Sequence, residues 1–334
     1  MKIVFLTRRF WPDKGGVEKH VYEISKILIK KGHKVTVITE SEGDLHEIEG
    51  IKTERIPNLP QGKRRKFYIW IWILRNRNLF KNADVVHAHD VYYQYFPLKF
   101  LFLSKKSFIT FHGYETYPIS KKAFLIRKVS EKLADGNIIV GEFMKKWYQT
   151  KSDYTIYGGV RIPDKNRSPN KVNSAVFIGR LDEHTGIIDY AKAVSRIQKI
   201  KPNFEFKIIG EGPYFNKLKK YKPLGFKNEP MEYLARYNFA FVSRYLSILE
   251  AFASKRMVFA LYDNPVKKDY LEMTPFIKYL ITADTPEKLA RKVMYFQKNP
   301  KQAKMFVDSA YKWVKNQTWE NVTDAYLKLW RKHK

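Results

Sequence analysis

The stretch VFIGRLDEHTGI, residues 176–187, decides how the second half of this chain folds. Its β-branched run ends at Gly179, Arg180 follows at once, and Gly186 closes the loop before a helical pattern. A short loop between a strand and a helix is typical of an anion site above a parallel sheet, where a guanidinium clamps oxygens in pairs. A second cation would complete the site five residues after Arg180, and that position holds Thr185.

Short apolar runs and helical patterns alternate along the whole chain. A polar stretch, residues 161–173, separates two such series, and two successive βαβ series predict two doubly wound domains. The expected fold is α/β, with two Rossmann-like domains facing each other across a cleft. We expect domains over 1–166 and 167–309, and a helical segment over 310–334 that crosses back to the first. The predicted strands are 2–6, 34–39, 84–89, 107–112, 137–140, 174–179, 205–210, 238–243 and 257–261, and a helix is predicted over 18–31.

Composition places the chain among folded proteins without disulfides. Of its 334 residues, 44% are hydrophobic and 16% aromatic, which is ample for packed cores. The absence of cysteine excludes thiol chemistry and fits a reducing cytoplasm. The first residues predict a strand rather than a signal peptide, and the longest apolar run, 67–74, is about half the length of the shortest membrane span. We expect a cytoplasmic protein that is soluble or peripheral to a membrane.

The charge balance predicts a polyanionic partner. The chain carries 63 Lys and Arg against 33 Asp and Glu, a formal net charge of +30. Such a surface attracts nucleic acid, an anionic membrane or a phosphorylated substrate, and composition alone leaves all three open.

The loop after the first predicted strand is a second candidate for phosphate binding. Pro12 and the pair Gly15-Gly16 form a tight loop ahead of a helix N-terminus. Glycine lets a phosphate approach the backbone N–H groups closely, although a plain turn explains the pair equally well. The loop does not match GxGxxG, and no Walker A sequence occurs.

Six motifs in one order resemble the family 4 retaining glycosyltransferases, which have the GT-B fold. The resemblance covers nearly the whole chain. It implies transfer of a sugar from a nucleotide-sugar, with retention at the anomeric carbon, no cofactor and no metal. The motifs are GGVEKHVYEISKILIKKGHKVTVIT (15–39), DVVHAHD (84–90), TFHGYE (110–115), FIGRLDEHTG (177–186), IIGEGP (208–213) and LSILEAFAS (246–254).

The resemblance also implies roles for individual residues. Arg180 clamps the diphosphate, Glu250 accepts the ribose hydroxyls, and His112 lies beside the donor sugar near the reacting carbon. The alternatives are a solvated loop cation, a surface acid on a helix and a packed histidine at a strand end. His112 and Arg180 are thus the candidate catalytic residues, and Asp13 is a candidate on the acceptor side. The candidate donor-binding residues are Gly15, Gly16, Gly210, Arg244, Tyr245, Leu246, Ser247 and Glu250.

The HAHD stretch, residues 87–90, invites a metal interpretation. His87 and His89 point the same way on a strand, as two ligands of one ion would. No further ligand motif supports a metal, and no DxD sequence occurs, so we expect fixed cations and dipoles to neutralise the diphosphate.

The chain departs from the family pattern at the donor site. Relatives carry a lysine where this chain has Thr185, and an acidic residue where it has Val242. The sugar-binding loop is about four residues short, with Arg244, Tyr245 and Leu246 in its place. Either Arg180 holds the diphosphate alone or Arg244 is the second cation. The alternative function is a polyanion-binding protein on a degenerate, inactive scaffold.

A basic and aromatic stretch, residues 62–78, predicts membrane contact. Four cations precede an apolar run that begins at Phe67 and contains Trp70 and Trp72, a combination typical of interfacial segments. A buried helix with a solvated basic end is the alternative, and single-stranded nucleic acid is the rival partner. The net charge favours a membrane, and no nucleic-acid module occurs. We therefore predict action at the inner membrane face on a lipid-linked or other glycan acceptor, with Lys63, Arg64, Arg65 and Lys66 at the surface.

Overall fold

The chain forms two compact units. The computed structural model describes residues 1–62, 64–113, 116–164, 168–169 and 171–333. The first unit comprises Met1–Gly158 together with Trp319–Lys334, and the second comprises Gly159–Thr318. The division falls shortly before the predicted boundary at residue 166, and the last helix belongs to the first unit.

The first unit is built on one mostly parallel sheet. In the part of the chain that the structure describes, its strands lie in the order β3-β4-β2-β1-β5-β6-β7-β8, and only the β3–β4 pair is antiparallel. The strands are β1 (Lys2–Thr7), β2 (Lys34–Thr39), β3 (Glu47–Ile48), β4 (Ile51–Arg55), β5 (Val85–His89), β6 (Ser107–Phe111), β7 (Gly136–Val140) and β8 (Tyr154–Ile156). The helices are α1 (Gly16–Lys30), α2 (Arg64–Arg75), α3 (Arg77–Lys81), α4 (Phe96–Leu101), α5 (Lys121–Leu133) and α6 (Phe143–Tyr148).

The second unit contains a smaller, fully parallel sheet. Among the described residues its strand order is β10-β9-β11-β12-β13. The strands are β9 (Lys171–Ile178), β10 (Glu205–Ile209), β11 (Tyr237–Phe241), β12 (Met257–Leu261) and β13 (Leu280–Ala283). The helices are α7 (Ile187–Ile200), α8 (Pro230–Leu234), α9 (Tyr245–Ala253), α10 (Pro265–Glu272), α11 (Pro286–Lys298) and α12 (Pro300–Val314). Helix α13 (Trp319–Lys332) follows and packs on α1, β7 and β8 of the first unit.

Both strand orders contain a topological switch point. In the first unit the order reverses between β1 and β5, and in the second between β9 and β11. Loops that follow such neighbours diverge to opposite faces of the sheet and leave a crevice at the carboxyl ends of the strands. The loops after β1 and β9 are the two that the sequence marks for phosphate binding.

Helical periodicity explains α1. Its apolar residues recur every three or four positions, and Val21, Ile24 and Leu28 are fully buried. Burying each such side chain stabilises the unit by about 1.5–3 kcal/mol. The helix begins at Gly16, so its first turn directly follows the candidate phosphate loop.

The structure corrects three details of the sequence interpretation. Strands β3, β4, β8 and β13 were not predicted, because they are short or, as in IKTER of β4, rich in charge. Val242 lies one residue beyond β11 rather than inside a strand. The closing stretch is broken after Val314 into α12 and α13 rather than forming one helical region. None of the described helices is long and apolar enough to span a bilayer.

The turn after β10 holds the Arg180 loop in place by close backbone contact. Gly210 has φ +145°, and a Cβ there would lie 1.8 Å from Gly179 O. Leu181 N–H donates to Glu211 O at 2.8 Å across the same contact. Only glycine fits at 210, because any side chain would collide with backbone and would also require an unfavourable φ.

We expect Gly210→Ala to lower the free energy of unfolding of the second unit by more than about 2 kcal/mol, because strain and a backbone collision add together. Gly225→Ala is the matched control. Gly225 also has a positive φ, +69°, but the nearest atom to a Cβ there is 3.5 Å away, so only the conformational cost applies. Urea unfolding of both variants measures the difference, and equal losses would contradict the collision.

Candidate functional site

The switch point of the second unit presents Arg180 to solvent. The Arg180 side chain is 57% exposed, and its Nε lies 3.7 Å from Asp182 Oδ2. This loose pairing leaves the planar guanidinium available to bind two oxygens of an anion. The loop then turns through a short 3-10 segment, Glu183–Thr185, into α7.

Thr185 is part of the architecture of this loop. Its hydroxyl lies 2.7 Å from Arg180 O and 2.9 Å from Asp182 O, and its backbone N–H donates to Asp182 Oδ1 at 3.1 Å. The residue is buried. Thr185 therefore shapes the turn that carries Arg180, and its side chain is already used.

The shortened loop after β11 leads straight into α9. Arg244 is half-buried at the N-cap of α9, with its guanidinium 5.8 Å from the Tyr270 ring centre and Nη2 3.5 Å from His184 O. Tyr245 is buried, and its ring stacks on Tyr270 at 3.9 Å. The Tyr245 side chain thus serves packing, and its backbone N–H donates to the Tyr270 hydroxyl at 3.0 Å. Any ligand contact at this end of α9 is therefore left to the residues that follow.

The first turn of α9 carries the remaining donor-site candidates. Leu246 and Ser247 are half-buried at the open end of the helix, and Glu250 is buried one turn further on. The N–H groups of a first helical turn have no intrahelical acceptor. That of Tyr245 donates to the Tyr270 hydroxyl, so the N–H groups of Leu246 and Ser247 are the ones that an anion could reach. Gly210 lies in the neighbouring turn, where its role is the backbone contact described above.

The candidate loop of the first unit is held by side chains from β4 and from the segment after β2. Asp13 Oδ2 accepts a hydrogen bond from Ser41 Oγ at 2.6 Å, and Arg55 Nη2 donates to Trp11 O at 2.9 Å. Gly15 is the N-cap of α1 and Gly16 its first residue, and both are exposed. The loop therefore presents an exposed helix N-terminus at the switch point, with the carboxylate of Glu18 lying against Gly15.

His112 follows β6 and is half-buried. Its backbone N–H donates to Asp90 Oδ1 at 2.9 Å, and its Nε2 lies 2.9 Å from His89 Nδ1. Desolvation lowers the pKa of His112 to about 3, with smaller contributions from His87 and Arg127 in the same direction. His112 is consequently a neutral imidazole at physiological pH.

Behind His112 lies a buried chain of hydrogen bonds that sequence interpretation missed. Trp330 Nε1 donates to His87 Nδ1 at 3.1 Å, and His87 Nε2 lies 2.8 Å from Thr110 Oγ1. Thr110 Oγ1 lies 2.8 Å from the hydroxyl of Tyr326, which is 2.9 Å from His20 Nε2. The clue in the sequence was His20 itself, which occupies the buried stripe of α1 four residues before Ile24.

The indole N–H sets the direction of this chain, since it can only donate. His87 therefore accepts at Nδ1 and carries its hydrogen on Nε2. The arrangement that uses every hydroxyl hydrogen within the chain has Thr110 donating to Tyr326, and Tyr326 donating to His20. His20 then carries its hydrogen on Nδ1. Helix α13 thus fixes the tautomer of a residue on α1, whose ring lies 4.8 Å from that of His112.

The HAHD histidines are hydrogen-bonding groups in this chain. Burial lowers the pKa of His20, His87 and His89 well below the usual value, and neighbouring histidines lower it further. Within the described ranges no group of three or more His, Asp or Glu side chains is arranged to hold a metal ion. Metal independence of a reaction stays a prediction.

Helix α2 differs in detail from the predicted membrane segment. Arg65 binds the buried Glu40, with Nε 2.8 Å from Oε2, so it does not belong to the free basic surface. Trp70 and Trp72 are half-buried, and Trp70 Nε1 donates to Tyr93 O at 2.9 Å. The exposed apolar side chains of α2 are Phe67 at 64% and Ile71 at 50%. Arg64 and Lys66 are exposed, and Lys63 lies outside the described residues.

These features define a class of protein. Two doubly wound units with mostly parallel sheets, each with an exposed loop at its switch point, are the architecture of GT-B enzymes. The family described as Glycosyltransferase Family 4 matches residues 14–161, and that described as Glycosyl transferases group 1 matches residues 161–313. The chain belongs to the family 4 glycosyltransferases.

The chain is similar to proteins of several organisms. A phosphatidylinositol N-acetylglucosaminyltransferase subunit of Arabidopsis thaliana is 23% identical over 64% of this chain and 53% of its own length. Phosphatidyl-myo-inositol mannosyltransferase of Mycolicibacterium smegmatis is 24% identical over 59% of this chain and 56% of its own. The chain thus spans about half the length of these curated relatives. A crystal structure of an Anabaena protein in complex with UDP and glucose matches with TM-score 0.75 at 14% identity, covering 98% of each chain.

We expect the free energy of unfolding to fall as the pH drops below about 6.5, the ordinary histidine pKa. Below this pH the histidines of the unfolded chain bind protons, whereas His20, His87, His89 and His112 stay neutral in the folded protein. The free energy of unfolding therefore rises with pH in this window, by up to about 1.4 kcal/mol per pH unit for each histidine. Urea unfolding between pH 7.5 and 5 measures the slope, above the range where carboxylates titrate. His184→Gln, at an exposed position, should leave the slope unchanged, and a flat profile in the parent protein would contradict the neutral cluster.

Proposed function

We propose that this protein transfers a sugar from a nucleoside-diphosphate sugar to a lipid-linked or other glycan acceptor, with retention and without a metal. The observation that carries the proposal is the exposed Arg180 at the switch point of the second unit, beside two open helix N-termini. Family membership supports the reaction class. The UDP in the Anabaena structure supports a nucleoside diphosphate as the product.

The second unit is the proposed donor site. When the bond between the anomeric carbon and the diphosphate breaks, negative charge grows on the leaving oxygen and must be stabilised. Arg180 supplies a fixed cation, and the first turns of α7 and α9 supply backbone N–H groups aligned with helix dipoles. The buried Glu250 is the proposed acceptor for the ribose hydroxyls.

His112 is proposed to bind the donor sugar as a neutral imidazole. A cation near the reacting carbon would oppose positive charge developing on the sugar, whereas a neutral ring can donate or accept a hydrogen bond there. The low pKa of His112 keeps it neutral across the physiological range. Gly15, Gly16 and Asp13 belong to the exposed loop of the first unit, which is proposed to take part in donor and acceptor binding.

A membrane lipid is the favoured acceptor class. The two relatives described above are both named for a reaction on phosphatidylinositol. On the first unit, the exposed Phe67 and Ile71 lie one helical turn apart, with Arg64 and Lys66 beside them. Helix α2 packs on α4, whose Phe100 and Leu101 are also more than half exposed. Apolar side chains surrounded by cations suit an anionic lipid surface at the inner membrane face.

The second candidate is a polyanion-binding protein on an inactive scaffold. Its support is the net charge of +30 together with the shortened loop at Arg244. Donor-dependent release of a nucleoside diphosphate distinguishes the two functions, because only the transferase produces it.

We expect Arg180→Ala to weaken nucleoside-diphosphate binding and to cut turnover by at least tenfold, because a charged hydrogen bond contributes about 1.5–3 kcal/mol. Arg180→Lys should recover only part, since an ammonium cannot fork across two oxygens. Calorimetry with a panel of nucleoside diphosphates, and product release in the presence of EDTA, are the measurements.

Arg196→Ala is the matched control for Arg180. Arg196 lies further along α7, where its half-exposed side chain pairs with Glu287, so its loss should change neither affinity nor rate. Unchanged binding in Arg180→Ala would remove this residue from the site. Loss of turnover in EDTA, restored by a divalent ion, would overturn the metal-free mechanism, and no release from any donor would favour the second candidate.

We expect the protein to bind phosphatidylserine-containing vesicles at low salt and to leave them as salt is raised, because the Debye length is about 10 Å at 0.1 M. A variant with Phe67→Ser, Ile71→Ser, Arg64→Gln and Lys66→Gln should lose most of this binding yet keep nucleotide affinity. Each cation near an anionic surface contributes about 1 kcal/mol. Co-sedimentation is the measurement.

Ile200→Ser with Met305→Ser is the control, since both side chains are highly exposed but belong to the second unit. The control should bind vesicles like the parent protein. Equal binding by the α2 variant would place the membrane contact elsewhere. Stronger binding to single-stranded nucleic acid than to vesicles would favour a nucleic-acid partner.

A further inference from the structure

Lys267 is a lysine on the buried face of α10. Its side chain is 2% exposed, and its helix neighbours Val266, Tyr270 and Leu271 are buried with it. Lysine is almost never fully buried in a protein unless its charge is paired. The position therefore calls for a partner.

The ammonium of Lys267 has no hydrogen-bond acceptor among the described residues. Asp263 Oδ1 is 3.8 Å away, beyond hydrogen-bonding distance, and Asp263 is itself exposed. Burial lowers the pKa of Lys267 to about 8, while Asp263, Asp189 and Asp182 raise it and Arg244 lowers it. The group is thus mostly protonated at neutral pH, and its charge is offset only by carboxylates that do not hydrogen-bond to it.

The ammonium lies at the start of α7. A Cβ at Gly186, the N-cap of α7, would be 3.4 Å from Lys267 Nζ. The first hydrogen bond of this turn runs from Asp189 N–H to Gly186 O. The N–H groups of Ile187 and Ile188 come before it, at the N-terminal end of the helix. A buried cation and an open helix N-terminus therefore converge at one point, which follows Thr185 directly and closes the Arg180 loop.

We propose that Lys267 is the second cation of the diphosphate site, reaching from α10 to the position that a lysine at 185 would otherwise serve. The inference rests on the proposed function and names the residue that completes its donor site. Thr185 is occupied within the loop. Arg244 is held against Tyr270 and His184 O, whereas Lys267 Nζ has no such hydrogen bond to any described residue.

A diphosphate would supply what this ammonium lacks. An uncompensated charge in a poorly solvated place is costly, and a bound anion offsets that cost while gaining a strong charge-assisted hydrogen bond. The site would be selective for diphosphate over an uncharged nucleoside. By the same reasoning, replacing the lysine with an apolar side chain of similar length should stabilise the protein that has no ligand.

The experiment measures nucleoside-diphosphate affinity of the full chain against pH and in Lys267→Met. We expect at least tenfold weaker binding in the variant, with affinity for the corresponding nucleosides unchanged. In the parent protein affinity should be level up to about pH 8 and fall above it, as Lys267 of the free protein loses its proton. A phosphate's second pKa is about 6, so the ligand does not titrate in this window. The variant should lack the fall.

Lys268→Met is the matched control, because Lys268 is the next residue on α10 and its side chain is 50% exposed. It should bind like the parent protein. The melting temperature of Lys267→Met without ligand should equal or exceed that of the parent, whereas a lysine that merely supports the fold would give a lower one. If Lys267→Met does not fold, Lys267→Gln is measured in its place.

Each outcome decides one claim. Unchanged affinity in both Lys267 variants, or a level pH profile in the parent protein, would overturn the role of Lys267 and leave the transferase function standing. If no nucleoside diphosphate binds, the proposed function fails. Inorganic pyrophosphate then tests the anion site by itself, since binding that Lys267→Met abolishes would support it and absence of binding would overturn it.

Discussion

The second unit depends on the close contact between Gly210 and the carbonyl of Gly179. That contact allows Leu181 N–H to reach Glu211 O, and Tyr214 N–H to reach Leu181 O, so two loops of the switch point become one rigid piece. The Arg180 turn closes through Thr185 on this support, and α7 begins where the turn ends. The proposed diphosphate site of the unit thus relies on backbone geometry that only glycine permits.

Charge is distributed differently in the two units. In the first, four histidines are kept neutral by burial, and an indole on the last helix aligns the hydrogen bonds of two of them, His87 and His20. In the second, an ammonium is buried without a hydrogen-bonded carboxylate among the residues that the structure describes, close to a helix N-terminus. A neutral cluster resists protonation, while an uncompensated cation attracts an anion. The neutral cluster agrees with the proposed role of His112 beside the sugar, and the buried cation agrees with the proposed diphosphate site.

Much of the fold was predictable from local patterns. Strands such as 2–6 and 34–39 alternate with an amphipathic α1, and that order fixes a parallel, doubly wound sheet. The two-domain α/β fold is confirmed. Strand β4 was not predicted, because its charged residues hide the alternation of apolar and polar side chains. For α2, the sequence indicated a basic and aromatic segment but not which of its side chains are exposed. Which side of α2 faces out depends on Glu40, whose buried carboxylate captures Arg65 from a distant part of the chain.

The sequence by itself determined the family, the two switch-point loops and the choice of Arg180 as the candidate phosphate ligand, because these follow from contiguous motifs and their spacing. It identified the absence of a lysine at 185 but not Lys267, the replacement that we propose. Only the tertiary structure brings α10 beside the start of α7, and only burial makes the charge of Lys267 significant. The same holds for His20 and Tyr326, which are 306 residues apart and form one hydrogen bond. Contacts of that kind depend on packing between elements, and no local pattern in the chain records them.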